Sequence, residues 1–139
     1  MRYFFYGTLL DEGVRRRVLG IAPLRERTAW LSGYARVGMP GKSYPTLVDA
    51  MQSVTGGLFE GITVRQRRRI IAFEGVEYRE AILPVRVETG AEIPARVFLP
   101  RRPPKVTIPW SYERWQRIDR ARFLRALNAD GLLSATKSV

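Results

Sequence analysis

The sequence predicts an α+β fold, a curved or barrel-like sheet with helices packed around it. Three observations carry this reading: strand and helix patterns are interspersed, two strand patterns are joined as a hairpin, and no linker divides the chain. A chain of 139 residues with 45% hydrophobic side chains can bury a sizeable core as a single domain. No apolar run approaches the roughly 18 residues a membrane helix needs. The N-terminal Met1-Arg2-Tyr3-Phe4-Phe5-Tyr6 is apolar, but it is too short, and meets Gly7 too soon, to be a secretory segment. A cytoplasmic location is therefore expected. The absence of Cys excludes disulfides and thiolate metal sites, and the absence of His removes zinc's other common ligand. The net charge of +11, mostly arginine, is compatible with nucleic acid, an acidic partner, an anionic substrate or simple solubility.

Arg2 to Tyr6 is aromatic-rich and reads as a strand ended by Gly7. Tyr6-Gly7-Thr8-Leu9-Leu10 follows as a tight loop, where a glycine lets the backbone approach a ligand. Asp11 can cap a short helix that runs to about Leu19, with Val14 and Val18 on one face and Arg15, Arg16 and Arg17 covering the rest. Gly20 ends it. Leu24 to Val37 is expected to form one bent or bulged strand, broken at Gly33. Gly38 to Lys42 is a loop by composition, Tyr44 to Val48 a short strand, and Gly56 to Ile62 another.

Thr63-Val64-Arg65-Gln66 has the spacing of a capping box and starts a helix that stops at Gly75. Tyr78 to Thr89 and Ala91 to Leu99 form a hairpin, with Pro84 marking an edge or a bulge. A Pro- and Arg-rich connector spans Pro100 to Pro109. Ser111 then caps a last helix whose apolar face carries Ile118, Ala121, Leu124 and Leu127, ending near Asn128 to Gly131. The tail after about Leu133 is expected to be loose.

The stretch with most chemical content is Ile70-Ile71-Ala72-Phe73-Glu74-Gly75-Val76. With neither His nor Cys available, a carboxylate is the first candidate for acid–base work. Glu74 stands among apolar neighbours in the last turn of its helix, where desolvation and the negative end of the macrodipole both work against the anion. The bland alternative is a solvated helix-end glutamate before a glycine cap.

Two pieces together resemble a known family. Tyr3-Phe4-Phe5-Tyr6-Gly7-Thr8-Leu9 is similar to the strand-plus-YGTL opening of the γ-glutamylcyclotransferase-like (AIG2-like) proteins. Phe73-Glu74-Gly75-Val76-Glu77-Tyr78-Arg79, about 65 residues later, is similar to that family's FEG…Y(R) segment. Weaker similarity includes Tyr44-Pro45 and Gly57-Leu58-Phe59-Glu60-Gly61. The resemblance implies a mixed barrel-like sheet with flanking helices and a cavity between the loop and the glutamate. It further implies an enzyme that converts a γ-glutamyl amine or amino acid into 5-oxoproline and the free amine. On that reading Tyr6, Gly7, Thr8 and Leu9 bind the γ-glutamyl group and Glu74 is the acid–base residue. Tyr78 stands beside the pocket, and Tyr112 matches a tyrosine that some members place late in the chain. The substrate's own α-amine is the nucleophile, so neither metal nor cofactor is expected.

The rival reading is a catalytically silent member of the fold, a basic module for an anionic partner or nucleic acid. Against it, the aromatics sit in strands with core-like spacing and do not interleave with Arg15 to Arg17 or Arg65 to Arg69. No nucleic-acid or membrane partner is expected. The arginine runs read as solvated helix faces.

Overall fold

Five strands close into a barrel in the computed structural model, which describes residues 1–20 and 24–127. They are β1 (Tyr3–Phe5), β2 (Arg25–Val37), β3 (Thr46–Glu60), β4 (Tyr78–Val87) and β5 (Glu92–Pro100). Among the described residues four α-helices surround them: α1 (Glu12–Leu19), α2 (Val64–Glu74), α3 (Tyr112–Ile118) and α4 (Arg120–Ala126). The order around the barrel is β1-β3-β2-β4-β5. Neighbours are antiparallel except where β5 meets β1, a parallel pairing with Tyr3 opposite Arg96. This is the mixed α+β barrel expected from the sequence. The expected loose tail lies outside the described residues.

Side-chain alternation sorts the core into two layers, as a strand period of two requires. Phe4 and Tyr6 join Leu31, Leu58, Val85 and Val97 in a cluster drawn from all five strands, which fills the barrel. Tyr3 and Phe5 point the other way, joining Phe59 and Phe98 beneath Val14, Val18, Ile70, Phe73 and Trp115 of the helices. Tyr3 stacks on both Phe5 and Phe98, with ring centroids 5.9 Å apart in each pair. Gly56 lets β1 come this close to β3: a Cβ there would lie 2.3 Å from the Phe5 carbonyl oxygen. Pro84 stands opposite Pro94, beyond the β2–β4 pairs at Ala29–Val87 and Trp30–Arg86, so it takes the edge position its missing N–H demands.

Two expectations fail. The strands expected at Tyr44–Val48 and Gly56–Ile62 are one, because β3 runs unbroken for 15 residues. Its register against β2 shifts between Ser32 and Tyr34 on one side and between Ser53 and Asp49 on the other. The polar run across that bulge, with Met51 fully exposed, carries no alternation from which a strand could be read. The last helix is also two helices, α3 and α4, meeting at Asp119. The break re-phases the buried face: Trp115, Phe123 and Leu127 are buried, whereas Ile118 is 50% exposed and Ala121 is exposed.

The arginines of α1 and α2 are less solvated than expected, since several tie elements together. Arg17 donates to the Leu124 carbonyl, Arg69 to those of Val18 and Arg17, and Arg15 to those of Leu9 and Leu10. Arg67 and Arg96 both donate to Glu80, which also accepts from the Tyr3 hydroxyl at 2.6 Å. The contacts to the Arg17 and Val18 carbonyls supply donors to the last turn of α1, where intrahelical partners run out. Among the described residues no helix is long and apolar enough to cross a membrane.

Asp11 is buried and does two jobs. Its side chain caps α1 by accepting from the Val14 N–H at 3.1 Å, and it accepts from Arg120 Nε at 2.6 Å. Burial alone would raise its pKa, but Arg120 and the Val14 N–H outweigh that and hold the carboxyl below its usual range. Glu80 is likewise lowered, with burial opposed by Tyr3, Arg67 and Arg96. A depressed folded-state pKa gives stability that is present above the unfolded value and lost as pH falls through the folded one. Denaturant melts should therefore show stability declining in the acid range, and Asp11→Asn should flatten that decline. Asp11→Ala should cost roughly 2.5–4 kcal/mol, a cap plus one charge-assisted hydrogen bond. A loss below about 1 kcal/mol would deny Asp11 this role.

Candidate active site

At Tyr6 the chain leaves β1 and turns into a single 3-10 turn, Thr8–Leu10, before Asp11 starts α1. Every carbonyl from Tyr6 to Leu10 has a donor. Tyr6 is held by Arg36 at 2.9 Å, Gly7 by the Leu10 N–H, Thr8 by the Asp11 N–H, and Leu9 and Leu10 by Arg15. With its acceptors occupied and the first N–H groups of the turn beyond reach of an intrahelical carbonyl, the loop offers donors, not acceptors, to a ligand. Thr8 and Leu9 are buried. The Tyr6 hydroxyl donates to the Phe98 carbonyl at 2.7 Å, pinning the loop's start to β5.

Gly7 needs to be glycine at least for space. A Cβ there would lie 2.9 Å from Cγ of Pro45, too close unless the Pro45 wall shifts outward. Tyr44 and Pro45 form the opposite wall, ahead of β3. Their loop is fixed by the Trp110 indole N–H, which donates to the Ser43 carbonyl at 2.8 Å, and by the reciprocal backbone pair Gly38–Ile108.

Glu74 closes the arrangement. The capping box expected at Thr63 and Gln66 is present, and Gly75 ends α2 with a φ of 85°, so Glu74 stands in the last turn. It lines one cleft with Tyr6, Gly7, Thr8, Leu9, Tyr44 and Pro45. Its apolar setting does not come from its sequence neighbours, because Ile71 is 41% exposed and Val76 87% exposed. It comes from Phe5, Phe98 and the tyrosines, supplied by other elements. The half-buried Glu74 in turn acts on those tyrosines. Burial, then the charges of Glu74 and Tyr78, push Tyr6 far up. Burial, Glu77 and Glu74 push Tyr44 up to about 12, and Tyr78 is also raised, by burial first and by Glu74 among the nearby charges. All three stay neutral hydroxyls at physiological pH.

The cleft is tight, at about 20 Å³ the room of a single water. Beside it a cavity of about 430 Å³ opens between Thr46, Tyr78, Val76, Glu77 and the start of the connector at Pro100–Arg102. Tyr78 lines this second cavity and not the cleft. Tyr112 lines neither. It stacks on Trp115 with centroids 6.1 Å apart, its hydroxyl accepts from Gln116, and its surrounding charges are Asp11, Arg15, Arg120 and Glu26. Tyr44 and Pro45, which belong to the weaker part of the family similarity, and Arg36 are site neighbours to which the sequence assigns no role. Tyr-Pro before a strand is a weak local signal, and Arg36 reaches the loop only through the tertiary fold.

The chain is 29% identical over 127 residues to AIG2-like protein C of Arabidopsis thaliana, a match spanning 88% of this chain and 73% of that protein. A solution structure of another Arabidopsis thaliana protein superposes with a TM-score of 0.68 at 24% identity, over 89% of this chain and 85% of that one. A gamma-glutamyl cyclotransferase structure superposes with a TM-score of 0.60 at 16% identity, over 77% of this chain and 69% of that one. These structures share the fold. The family described as gamma-glutamyl cyclotransferase, AIG2-like, matches residues 3–117, a span that holds the Tyr6–Leu9 loop and Glu74 together. The chain belongs to the AIG2-like gamma-glutamyl cyclotransferase family.

Proposed function

We propose that this protein cyclises a γ-glutamyl amine or amino acid, releasing 5-oxoproline and the free amine, with Glu74 as the acid–base residue. The observation that carries this reading is that Glu74 and the Tyr6–Leu9 loop, far apart in sequence, line one cleft.

The Glu74 carboxylate takes a proton from the substrate's α-ammonium. The freed amine attacks the γ-carbonyl carbon, forming the ring C–N bond and a tetrahedral oxyanion. N–H groups of the Gly7–Leu9 turn are suited to that oxyanion and to the α-carboxylate, since the turn's carbonyls are already occupied. As the oxyanion collapses, the bond to the leaving nitrogen breaks and Glu74 returns its proton there. The ring nitrogen then gives up its second proton through the freed Glu74 carboxylate, so that 5-oxoproline leaves as the neutral lactam and the released amine takes up that proton as its ammonium. Ring closure is intramolecular, so holding the glutamyl chain folded supplies much of the acceleration. No protein nucleophile takes part. A glutamyl chain is larger than the water-sized cleft, so its entry moves the Tyr44–Pro45 wall away from Gly7.

The rival reading as a basic binding module loses support from the arginines that are committed to carbonyls and to Glu80.

Two variants test the reading. Glu74→Gln keeps the shape but can neither accept nor return the proton, so kcat should fall roughly 10²–10⁴-fold while the circular dichroism spectrum and substrate affinity persist. Near wild-type turnover by that variant would sink the proposal. Gly7→Val forces Pro45 outward permanently and should lower kcat/KM more than about tenfold, with a stability cost limited to the roughly 1–3 kcal/mol of overpacking. Global unfolding in its place would make Gly7 a structural residue only.

A further inference from the structure

The N–H groups of Gly7, Thr8 and Leu9 donate to no carbonyl among the described residues, and all three residues line the cleft with Glu74. Each N–H shares a planar peptide with the carbonyl of the residue before it, which points the opposite way. Those three carbonyls are each approached from behind. The Tyr6 carbonyl, in one peptide with the Gly7 N–H, accepts directly from Arg36 Nη1 at 2.9 Å. The Gly7 carbonyl, in one peptide with the Thr8 N–H, accepts from the Leu10 N–H at 3.0 Å. That N–H in turn shares its peptide with the Leu9 carbonyl, which accepts from Arg15 Nη1 at 3.0 Å. The Thr8 carbonyl, in one peptide with the Leu9 N–H, accepts from the Asp11 N–H at 3.1 Å, and the Leu10 carbonyl of that next peptide also accepts from Arg15. All three donors thus end hydrogen-bonded chains headed by a guanidinium, one peptide long for Gly7 and two for Thr8 and Leu9.

Both arginines are anchored away from the cleft. Arg36, half-buried on β2, donates from the same nitrogen to the Thr55 carbonyl at 3.0 Å and lies over the Trp110 ring, 5.6 Å from its centroid. Arg15, half-buried on α1, lies over the Phe59 ring, 4.7 Å from its centroid. Among the described residues neither forms an ion pair; Glu12 pairs with Arg16 and Asp11 with Arg120. Their charges therefore fall on the loop's carbonyls without a carboxylate in contact. A cation on a carbonyl oxygen draws density along the peptide and leaves the N–H more positive, and bonds in series reinforce one another. A neutral donor at the same carbonyls would hold the loop in place without that effect.

We propose that Arg15 and Arg36 are positioning residues for the oxyanion, aiming and polarising the Gly7, Thr8 and Leu9 N–H groups through their peptide planes. This rests on the cyclotransferase reading and adds to it the source of the charge behind the donors. A developing oxyanion gains more from a polarised N–H than the ground-state carbonyl does, so the effect falls mainly on kcat.

Two readouts test this: the amide resonances of the 15N-labelled free protein, and release of 5-oxoproline from γ-glutamylalanine, γ-glutamyl-ε-lysine and γ-glutamylcysteinylglycine. Arg36→Gln, which keeps a neutral donor, should move the Gly7 amide upfield and leave Thr8 and Leu9 near their places. Arg15→Gln should do the reverse. Each change should lower kcat roughly tenfold, less than the loss of a donor outright, with KM within about threefold of wild type. Arg36→Lys and Arg15→Lys keep a charge and should recover most of that kcat, whereas a merely structural role would show as lost stability with no such split. If Arg15→Gln fails to fold, the Arg36 pair alone decides. An unchanged kcat in Arg36→Gln, or equal kcat in its Gln and Lys variants, overturns the proposal and leaves the Glu74 chemistry standing. Equal movement of all three amides in both Gln variants overturns the separate chains. If wild type consumes none of the three compounds, the cyclotransferase reading falls and takes this catalytic role with it, whatever the amides show.

Discussion

The structure depends on how β1 is wedged between two neighbours. The strand is only three residues long, yet it bonds antiparallel to β3 on one edge and parallel to β5 on the other, and so closes the barrel. It can do this because Gly56 leaves the room that any side chain would take from the Phe5 carbonyl and the Phe4 ring. Once seated, four consecutive aromatics alternate between the barrel interior and the layer under the helices, joining both cores through one short strand. The loop that follows inherits its position from this wedge, and Tyr6 adds a hydroxyl bond to Phe98 that fixes the exit. Nothing in the cleft could be held to a fraction of an ångström if β1 were free to slide.

How much of this is legible in the sequence follows from how local each cause is. The box at Thr63–Gln66, the cap at Asp11 and the glycine stop at Gly75 are settled within a few residues, and so α1, α2 and the place of Glu74 can be read directly. The hairpin of β4 and β5 follows from alternation. The continuity of β3 does not, since its middle lies across a bulge where Met51 has nothing to pack against. The break at Asp119 is equally hidden, because the buried partners that choose Phe123 over Ala121 and Ile118 belong to other elements. The apolar surroundings of Glu74 make the same point. Sequence neighbours suggest them, but the groups that supply them are Phe5, Phe98, Tyr6 and Tyr44.

Arginine is used here as a carbonyl ligand as much as a surface charge. Arg15 and Arg36 hold the loop's acceptors, and Arg17 and Arg69 stitch α1 to α4 and α2 to α1. A guanidinium suits this work because it keeps its charge at any ordinary pH and offers several donors in one plane. Composition alone suggests a partner for so many cations. Much of the answer lies within the chain, where they complete helix ends and turns.

Closing the barrel by a parallel pair of its first and last strands has a consequence for the order in which the protein forms. Tyr3 meets Arg96, 93 positions further along the chain (96 − 3), and Tyr6 reaches Phe98. During synthesis neither contact can exist until β5 has left the ribosome, so the loop beside Tyr6 stays without its fixed geometry while α1, β2, β3 and α2 are already available to associate. Contacts of such long range also slow folding, because the entropy of closing the loop is lost before the pairing is gained. The nascent chain thus leaves one edge of its aromatic first strand, around Tyr3-Phe4-Phe5-Tyr6, uncovered until β5 emerges, with β3 as its earlier partner. Chaperone demand on this fold should concentrate there, at the segment that completes the cleft last.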